Sequence, residues 1–168
     1  MLYIIRHGQT DFNRDGIAQG QMSTPLLTEK GQNQILKVAQ HLSNKGIKFD
    51  QAFSSDLKRA IQSLEIIQKH IIFPKVTLDR NLRENDQGEL SGQSYKSVKW
   101  TQYQELLSSG KTEFPMFSPQ PESPIKIRER VFQFFKKIPI SENTLVVTHG
   151  GIIRNYLALL KNITLEDY

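Results

Sequence analysis

The sequence predicts an α/β fold, a three-layer α/β/α sandwich around a mostly parallel central sheet. Short apolar runs alternate along the chain with segments of helical periodicity. Strands separated by helices imply right-handed crossovers that leave helices on both faces of the sheet. The reactive side chains fall just past the strands, at the sheet edge where α/β folds bind ligands. At 168 residues, 38% hydrophobic and 23% charged, the chain is expected to form a single domain over 1–168 with its own buried core.

The elements follow in order. Leu2 to Ile5 is a short buried-strand pattern; after a polar loop, Ile35, Leu36, Ala39 and Leu42 recur at helical spacing, and Gly46 supplies a stop. Phe49 to Phe53 reads as a second strand, with Ser54 or Ser55 available to cap a helix carrying Leu57, Ala60, Ile61, Leu64 and Ile67. Val76 to Leu78 predicts a third strand, and the polar residues 79 to 94, with Gly88 and Gly92, predict a loop. A helix is expected from Tyr95 to Leu107. Gly110, Pro115, Pro119, Pro121 and Pro124 then crowd a stretch that reads as a lid or surface excursion. Ser123 and Pro124 suit the cap and first position of a helix through Ile127, Val131 and Phe134 or Phe135, closed by Pro139. Thr144 to Thr148 is the clearest strand, and His149-Gly150-Gly151 leads into a last helix with Ile153, Tyr156, Leu157 and Leu160.

Composition excludes several function classes. Without Cys there is no disulfide framework, no Cys-ligated metal site and no thiol nucleophile. No apolar run approaches the roughly 20 residues that span a bilayer, so no membrane partner is expected. No basic region precedes the Leu2 to Ile5 run, so no signal peptide is read and the expected location is cytoplasmic. The 22 Lys and Arg exceed the 17 Asp and Glu, for a net charge of +5. These cations are scattered rather than clustered or interleaved with aromatics, which argues against nucleic acid and leaves a small anionic substrate.

The residues past the strands suggest which anion. Arg6-His7 follow the first strand, Ser54 to Arg59 the second, Arg83-Glu84 lie in the loop after the third, and His149-Gly150 follow the last. Arg6 and Arg59 offer planar forks that match phosphate oxygens. The helix start at Gly150 adds backbone amides for an anion. A His is then the expected nucleophile, and a protonated Glu84 can deliver its proton to the leaving alkoxide. Taken singly, each residue has a plainer reading: a His at a strand end is commonly a structural hydrogen-bonding group, and His41 and His70 read as surface or boundary residues. A metal on His7 and His149 is disfavoured by the neighbouring arginines, and none is expected.

These residues resemble the histidine phosphatase superfamily, in its phosphoglycerate mutase-like branch. LYIIRHGQTDFN from Leu2 to Asn13 looks like the signature RHG(E/Q)TxxN of that family. Further matches follow in order over nearly the whole chain: Gln19-Gly20, PLLTEKGQNQ from Pro25, FSSDLKRAIQS from Phe53, LRENDQGELSG from Leu82, PESPIKIRERV from Pro121 and VVTHGGIIR from Val146. The resemblance implies that His7 becomes a phosphohistidine, that Arg6, Arg59 and His149 line the phosphate pocket, and that Glu84 is the proton donor. It also implies that Thr10, Asn13, Gln19 and the Gly150 amide contact phosphate or substrate, with no metal or organic cofactor.

The chain also departs from the pattern. Leu90-Ser91-Gly92 stands where WEG is common, PESP from Pro121 replaces a common GGES, and Ser63 stands where Thr is usual. Relatives commonly continue into a further strand, whereas this sequence stops at Tyr168, so one sheet edge is expected to lack a strand. The expected function is metal-independent hydrolysis of a small phosphorylated metabolite, similar to the α-ribazole and broad-specificity phosphatases. A phosphoglycerate mutase is the alternative, disfavoured by the short stretch from Gly92 to Ser123. A protein phosphohistidine phosphatase and a non-catalytic phospho-ligand-binding module also remain, the latter opposed by the joint presence of His7, Glu84 and His149. Oligomeric state is left open.

Overall fold

The computed structural model describes residues 1–108, 121–139 and 141–163. The part of the expected lid from Gly110 to Pro119 lies outside them. Four strands, β1 (Leu2–Arg6), β2 (Gln51–Ser54), β3 (Val76–Leu78) and β4 (Thr144–Thr148), form one sheet in the order β1-β4-β2-β3. All pairings are parallel, so the described strands deliver their carboxyl ends to one edge. The helices are α1 (Asp11–Asp15), α2 (Glu29–Asn44), α3 (Lys58–Gln68), α4 (Val98–Ser108), α5 (Pro124–Phe135) and α6 (Gly150–Leu160).

The central strand shows why three layers form. Every residue of β4 is buried, as a strand covered on both faces requires, and its side chains alternate between two cores. Leu145 and Val147 pack with Ile35 and Ala39 of α2 and Leu64 and Ile67 of α3. Val146 packs on the opposite face with Val131 and Phe134 of α5 and Ile152 of α6. Among the described residues no helix is long and apolar enough to cross a membrane.

Local chemistry sets the helix ends. The Thr28 hydroxyl accepts from Gly31 N at 3.0 Å to start α2, and just past its end Gly46 takes a left-handed φ of 64°. The Ser123 hydroxyl accepts from Lys126 N at 3.4 Å and Pro124 opens α5, as expected.

Three expectations change. The polar loop after β1 contains α1, opened by a reciprocal cap: Asn13 N donates to Thr10 Oγ1 at 3.1 Å, and Thr10 N to Asn13 Oδ1 at 3.2 Å. Neither Ser54 nor Ser55 is the N-cap of α3, because the ladder still holds both. Ser54 pairs with Val147, and Ser55 N donates to Val147 O at 3.0 Å, so the helix opens after Leu57. Finally, α4 starts at Val98 rather than Tyr95. Ser94 bridges Ile17 and Tyr95 N donates to Gly16 O at 3.0 Å, which keeps the chain extended there.

Candidate active site

His7 leaves the end of β1 with its backbone still in the ladder, N–H to Thr148 O at 3.0 Å. Its Nδ1 lies 2.7 Å from Gly8 O. A carbonyl only accepts, so Nδ1 carries the proton and Nε2 keeps its lone pair. Burial, then the Arg59 charge, pushes the His7 pKa down to about 3, with the Gly8 bond opposing and Arg6 adding to the drop. The imidazole is therefore neutral and held in one tautomer, which is what a nitrogen nucleophile needs.

The turn that carries it rests on the start of α2 so closely that two glycines are required. A Cβ on Gly8 would strike the Gly31 carbonyl, and one on Gly31 would strike Gln9 O. The Gly8 amide donates to Ser63 Oγ at 3.2 Å, and that hydroxyl donates to Arg59 O at 2.7 Å. Ser63 thus joins the loop that carries His7 to α3.

His149, fully buried, packs its ring 5.1 Å from that of His7. Its Nε2 lies 2.8 Å from Ser55 Oγ, an oxygen that already accepts from Leu57 N at 3.3 Å. The Ser55 hydroxyl, with its hydrogen and a second lone pair, suits either ring tautomer; when it donates to Nε2, the imidazole proton lies on Nδ1. That Nδ1 is buried without a hydrogen-bond partner among the described residues. Burial, followed by the Arg59 charge and by His7, holds the His149 pKa well below the ordinary value.

Arg59, 1% exposed, does not present an empty fork. Its Nη1 donates to Met22 O at 2.9 Å and its Nη2 to Gly20 O at 2.8 Å, fixing the segment that follows Gln19. The Nε has no acceptor among the described residues. Burial lowers the Arg59 pKa to about 10 against the pull of Glu84, so the group stays cationic. Two buried nitrogens without partners among the described residues, one of them in a cation, accompany a neutral His. A buried polar nitrogen is costly unless a hydrogen-bonding partner meets it.

Glu84 borders this cluster. Its Oε2 accepts from Gly151 N at 3.1 Å, in the first turn of α6, and its Oε1 from Asn85 N at 2.9 Å. A Cβ at Gly151 would collide with Glu84 Oε1, so glycine is what lets the carboxylate reach the helix start. Arg6 lays its exposed guanidinium across Gly150, whose Cβ would meet Nε at 3.4 Å. The half-buried Tyr95 phenol is raised by burial and then by Glu84, with Arg6, Arg154 and Arg59 opposing, which puts it within electrostatic reach of the same groups.

Thus Arg6, His7, Arg59, Glu84, His149 and Gly150 converge as the sequence predicts. Thr10, Asn13 and Gln19 are engaged with one another: the Thr10 hydroxyl, fully buried, lies 3.1 Å from Asn13 Oδ1 and 3.0 Å from Gln19 Oε1. Their side chains build the start of α1 beside the loop that carries His7. Sequence reading singled out the glycine pair Gly150-Gly151 as allowing close approach, and missed Ser55, Gly31 and Thr148, whose hydroxyl donates to Leu82 O at 2.8 Å. Only Ser55 had a signal, its place just after a strand. Among the described residues no group of three or more His, Asp or Glu is placed to hold a metal ion.

The profile of the histidine phosphatase superfamily (branch 1) matches residues 2–168. The chain belongs to that family. It is 29% identical over 173 aligned residues to a 2,3-bisphosphoglycerate-dependent phosphoglycerate mutase of Bartonella bacilliformis, covering 99% of this chain and 84% of that protein. A phosphoglycerate mutase structure from Thermus thermophilus superposes with a TM-score of 0.72 at 30% identity, over 92% of this chain and 80% of that one. A candidate alpha-ribazole-5'-P phosphatase from Escherichia coli gives a TM-score of 0.83 over 98% of this chain and 81% of that one; at 24% identity it speaks for the fold alone.

Proposed function

We propose that this histidine phosphatase superfamily member is a phosphomonoester hydrolase acting on a small phosphorylated metabolite through a phosphohistidine on His7. The observation that carries this reading is the neutral His7, with Nε2 as its free nitrogen, in one buried cluster with the acceptorless Arg59 Nε and His149 Nδ1. The Arg59 Nε–H and, with its proton on Nδ1, the His149 ring, together with Arg6 and the Gly150 amide, would receive the phosphoryl oxygens. His7 Nε2 attacks phosphorus while the bond to the ester oxygen breaks, and the Glu84 carboxyl gives its proton to the leaving alkoxide. Water then attacks the phosphohistidine and passes a proton to the Glu84 carboxylate. The P–N bond breaks, its electron pair returns to Nε2, and inorganic phosphate leaves.

A second reading, mutase activity, is favoured by the names of the relatives. It differs only in the acceptor, a phosphoglycerate hydroxyl in place of water. The discriminating assay supplies phosphoglycerate with and without 2,3-bisphosphoglycerate, the group in the relative's name, beside a panel of other phosphomonoesters. Hydrolysis predicts steady release of inorganic phosphate from one or more esters. Isomerisation that depends on the bisphosphate, without phosphate release, would replace this reading with the mutase one.

A further inference from the structure

Arg130, on α5, lies across the back of the loop that carries Glu84. Its side chain and that of Glu122 are only 15% and 14% exposed, and the two form a fork-to-fork pair, Nε to Oε1 at 2.6 Å and Nη2 to Oε2 at 2.7 Å. The remaining three N–H groups go to loop carbonyls. Nη1 donates to Asn81 O and to Arg83 O, each at 2.8 Å, and Nη2 donates to Glu84 O at 3.2 Å. All five donors of the guanidinium are thereby used.

Glu122 completes the hold from the far side. Its Oε2 accepts from Asp86 N at 3.2 Å, and its own backbone N–H donates to Asp86 O at 2.7 Å. The peptides on both sides of Glu84 are therefore anchored to the start of α5. Residues 83–87 belong to no helix or strand, so no regular ladder fixes them. Beside this anchor, Gln21 Nε2 donates to Glu84 O at 3.1 Å, Arg83 pairs with Asp56, and the Glu84 carboxylate accepts from the Gly151 and Asn85 amides.

We infer that Arg130, held by Glu122, is a positioning residue that sets the reach of Glu84 toward the leaving oxygen. The inference rests on the role proposed above for Glu84. It differs from a purely structural role in one measurable respect. A displaced general acid harms esters whose alkoxides need a proton, and hardly harms those whose leaving group departs without one. Misplacement by about 1 Å is enough to cost up to ~100-fold in rate.

Arg130→Lys keeps the charge but cannot serve Glu122 and three carbonyls together. It is expected to lower kcat for an alkyl phosphate by at least about tenfold and kcat for p-nitrophenyl phosphate by no more than about twofold, with KM little changed for both. In a Glu84→Gln background the same substitution should add no further loss on the alkyl ester, because the group it positions is gone. Equal losses on both esters, or a full additional loss in the double variant, would overturn the inference. If Arg130→Lys fails to melt cooperatively, Glu122→Gln loosens the same anchor and carries the same two comparisons. If Glu84→Gln alone discriminates between the esters and the anchor variants do not, only the positioning role falls. If Glu84→Gln does not discriminate, the role of Glu84 falls and the inference with it.

Discussion

His7 and Arg59 show how much of the chemistry is decided by single hydrogen bonds. The Gly8 carbonyl fixes the His7 proton on Nδ1, so phosphate from a turning-over ester should be trapped on Nε2 of that residue. Mass spectrometry after a quench without acid is expected to place the label on His7 alone, and label on Ser55 or His149 would contradict the mechanism. His7→Ala should abolish turnover while leaving the melting temperature within a few degrees of the parent. Arg59 differs, because its terminal nitrogens hold Met22 O and Gly20 O while Nε is left without an acceptor among the described residues. A lysine cannot reproduce this fork. Arg59→Lys is therefore expected to reduce kcat/KM well beyond about tenfold and also to lower stability by ~1–3 kcal/mol, since buried carbonyls lose their donors. A loss of activity with an unchanged denaturation midpoint would show that the backbone bonds carry no weight. Activity should also survive EDTA, because Arg6, Arg59 and the α6 amides supply the positive field that a divalent ion would provide.

The loop that carries His7 and α2 meet through a glycine on each side, which makes their packing sensitive to a single methyl group. Gly8→Ala would drive a Cβ into the Gly31 carbonyl, and backbone cannot rotate away as a long side chain does. Overpacking of this kind costs about 1–3 kcal/mol. Because the displaced turn carries His7, kcat should fall along with the melting temperature, and a variant that melts and turns over like the parent would refute the contact. This close approach was invisible in the sequence, where Gly31 is one glycine in a helix. By contrast β4, with its run of buried β-branched residues, and α2 and α5, with their caps and apolar stripes, were legible because local chemistry and burial agree. The start of α3 was misread since Ser54 and Ser55 look like caps until the parallel ladder claims them. The short α1 was missed because Asn13 replaces the usual Glu or Gln of a capping box. For the site, Arg6, His7, Arg59, Glu84 and His149 were readable from their place after strands and from the family pattern. Ser55, Thr148 and Arg130 act on partners far away in the chain, as in the bond from Thr148 to Leu82, and no spacing rule reports such contacts.

Across the protein, burying two neutral imidazoles beside cations ties folding to pH, and the sign follows from their depressed values. His7 titrates at about 3 in the folded chain against an ordinary value of 6.5, and His149 also lies well below 6.5. Below pH 6.5 the unfolded chain binds protons that the native state refuses, so unfolding becomes easier as pH falls. The neutral pair is fully compatible with folding above 6.5, and stability drains away between 6.5 and about 3. His7 contributes a slope of up to about 1.4 kcal/mol per pH unit in that window, and His149 adds to it in the same direction. Asp56, lowered by its bond to Arg83 from an ordinary 3.8, adds to the loss only at the acid end. Denaturation midpoints are therefore expected to be flat from about pH 8 to 7 and to fall steeply below about 6. His149→Asn should shallow the acid slope below pH 6.5, since it removes one of the histidine protons taken up on unfolding. Inorganic phosphate supplies a further check. An anion meeting Arg59 Nε and His149 Nδ1 stabilises the folded state by mass action and favours a protonated imidazole. Saturating phosphate should then raise the midpoint and shallow the acid slope of the parent, and do less of both in His149→Asn. Identical slopes in parent and variant, with and without phosphate, would mean that the buried pair does not govern the acid response.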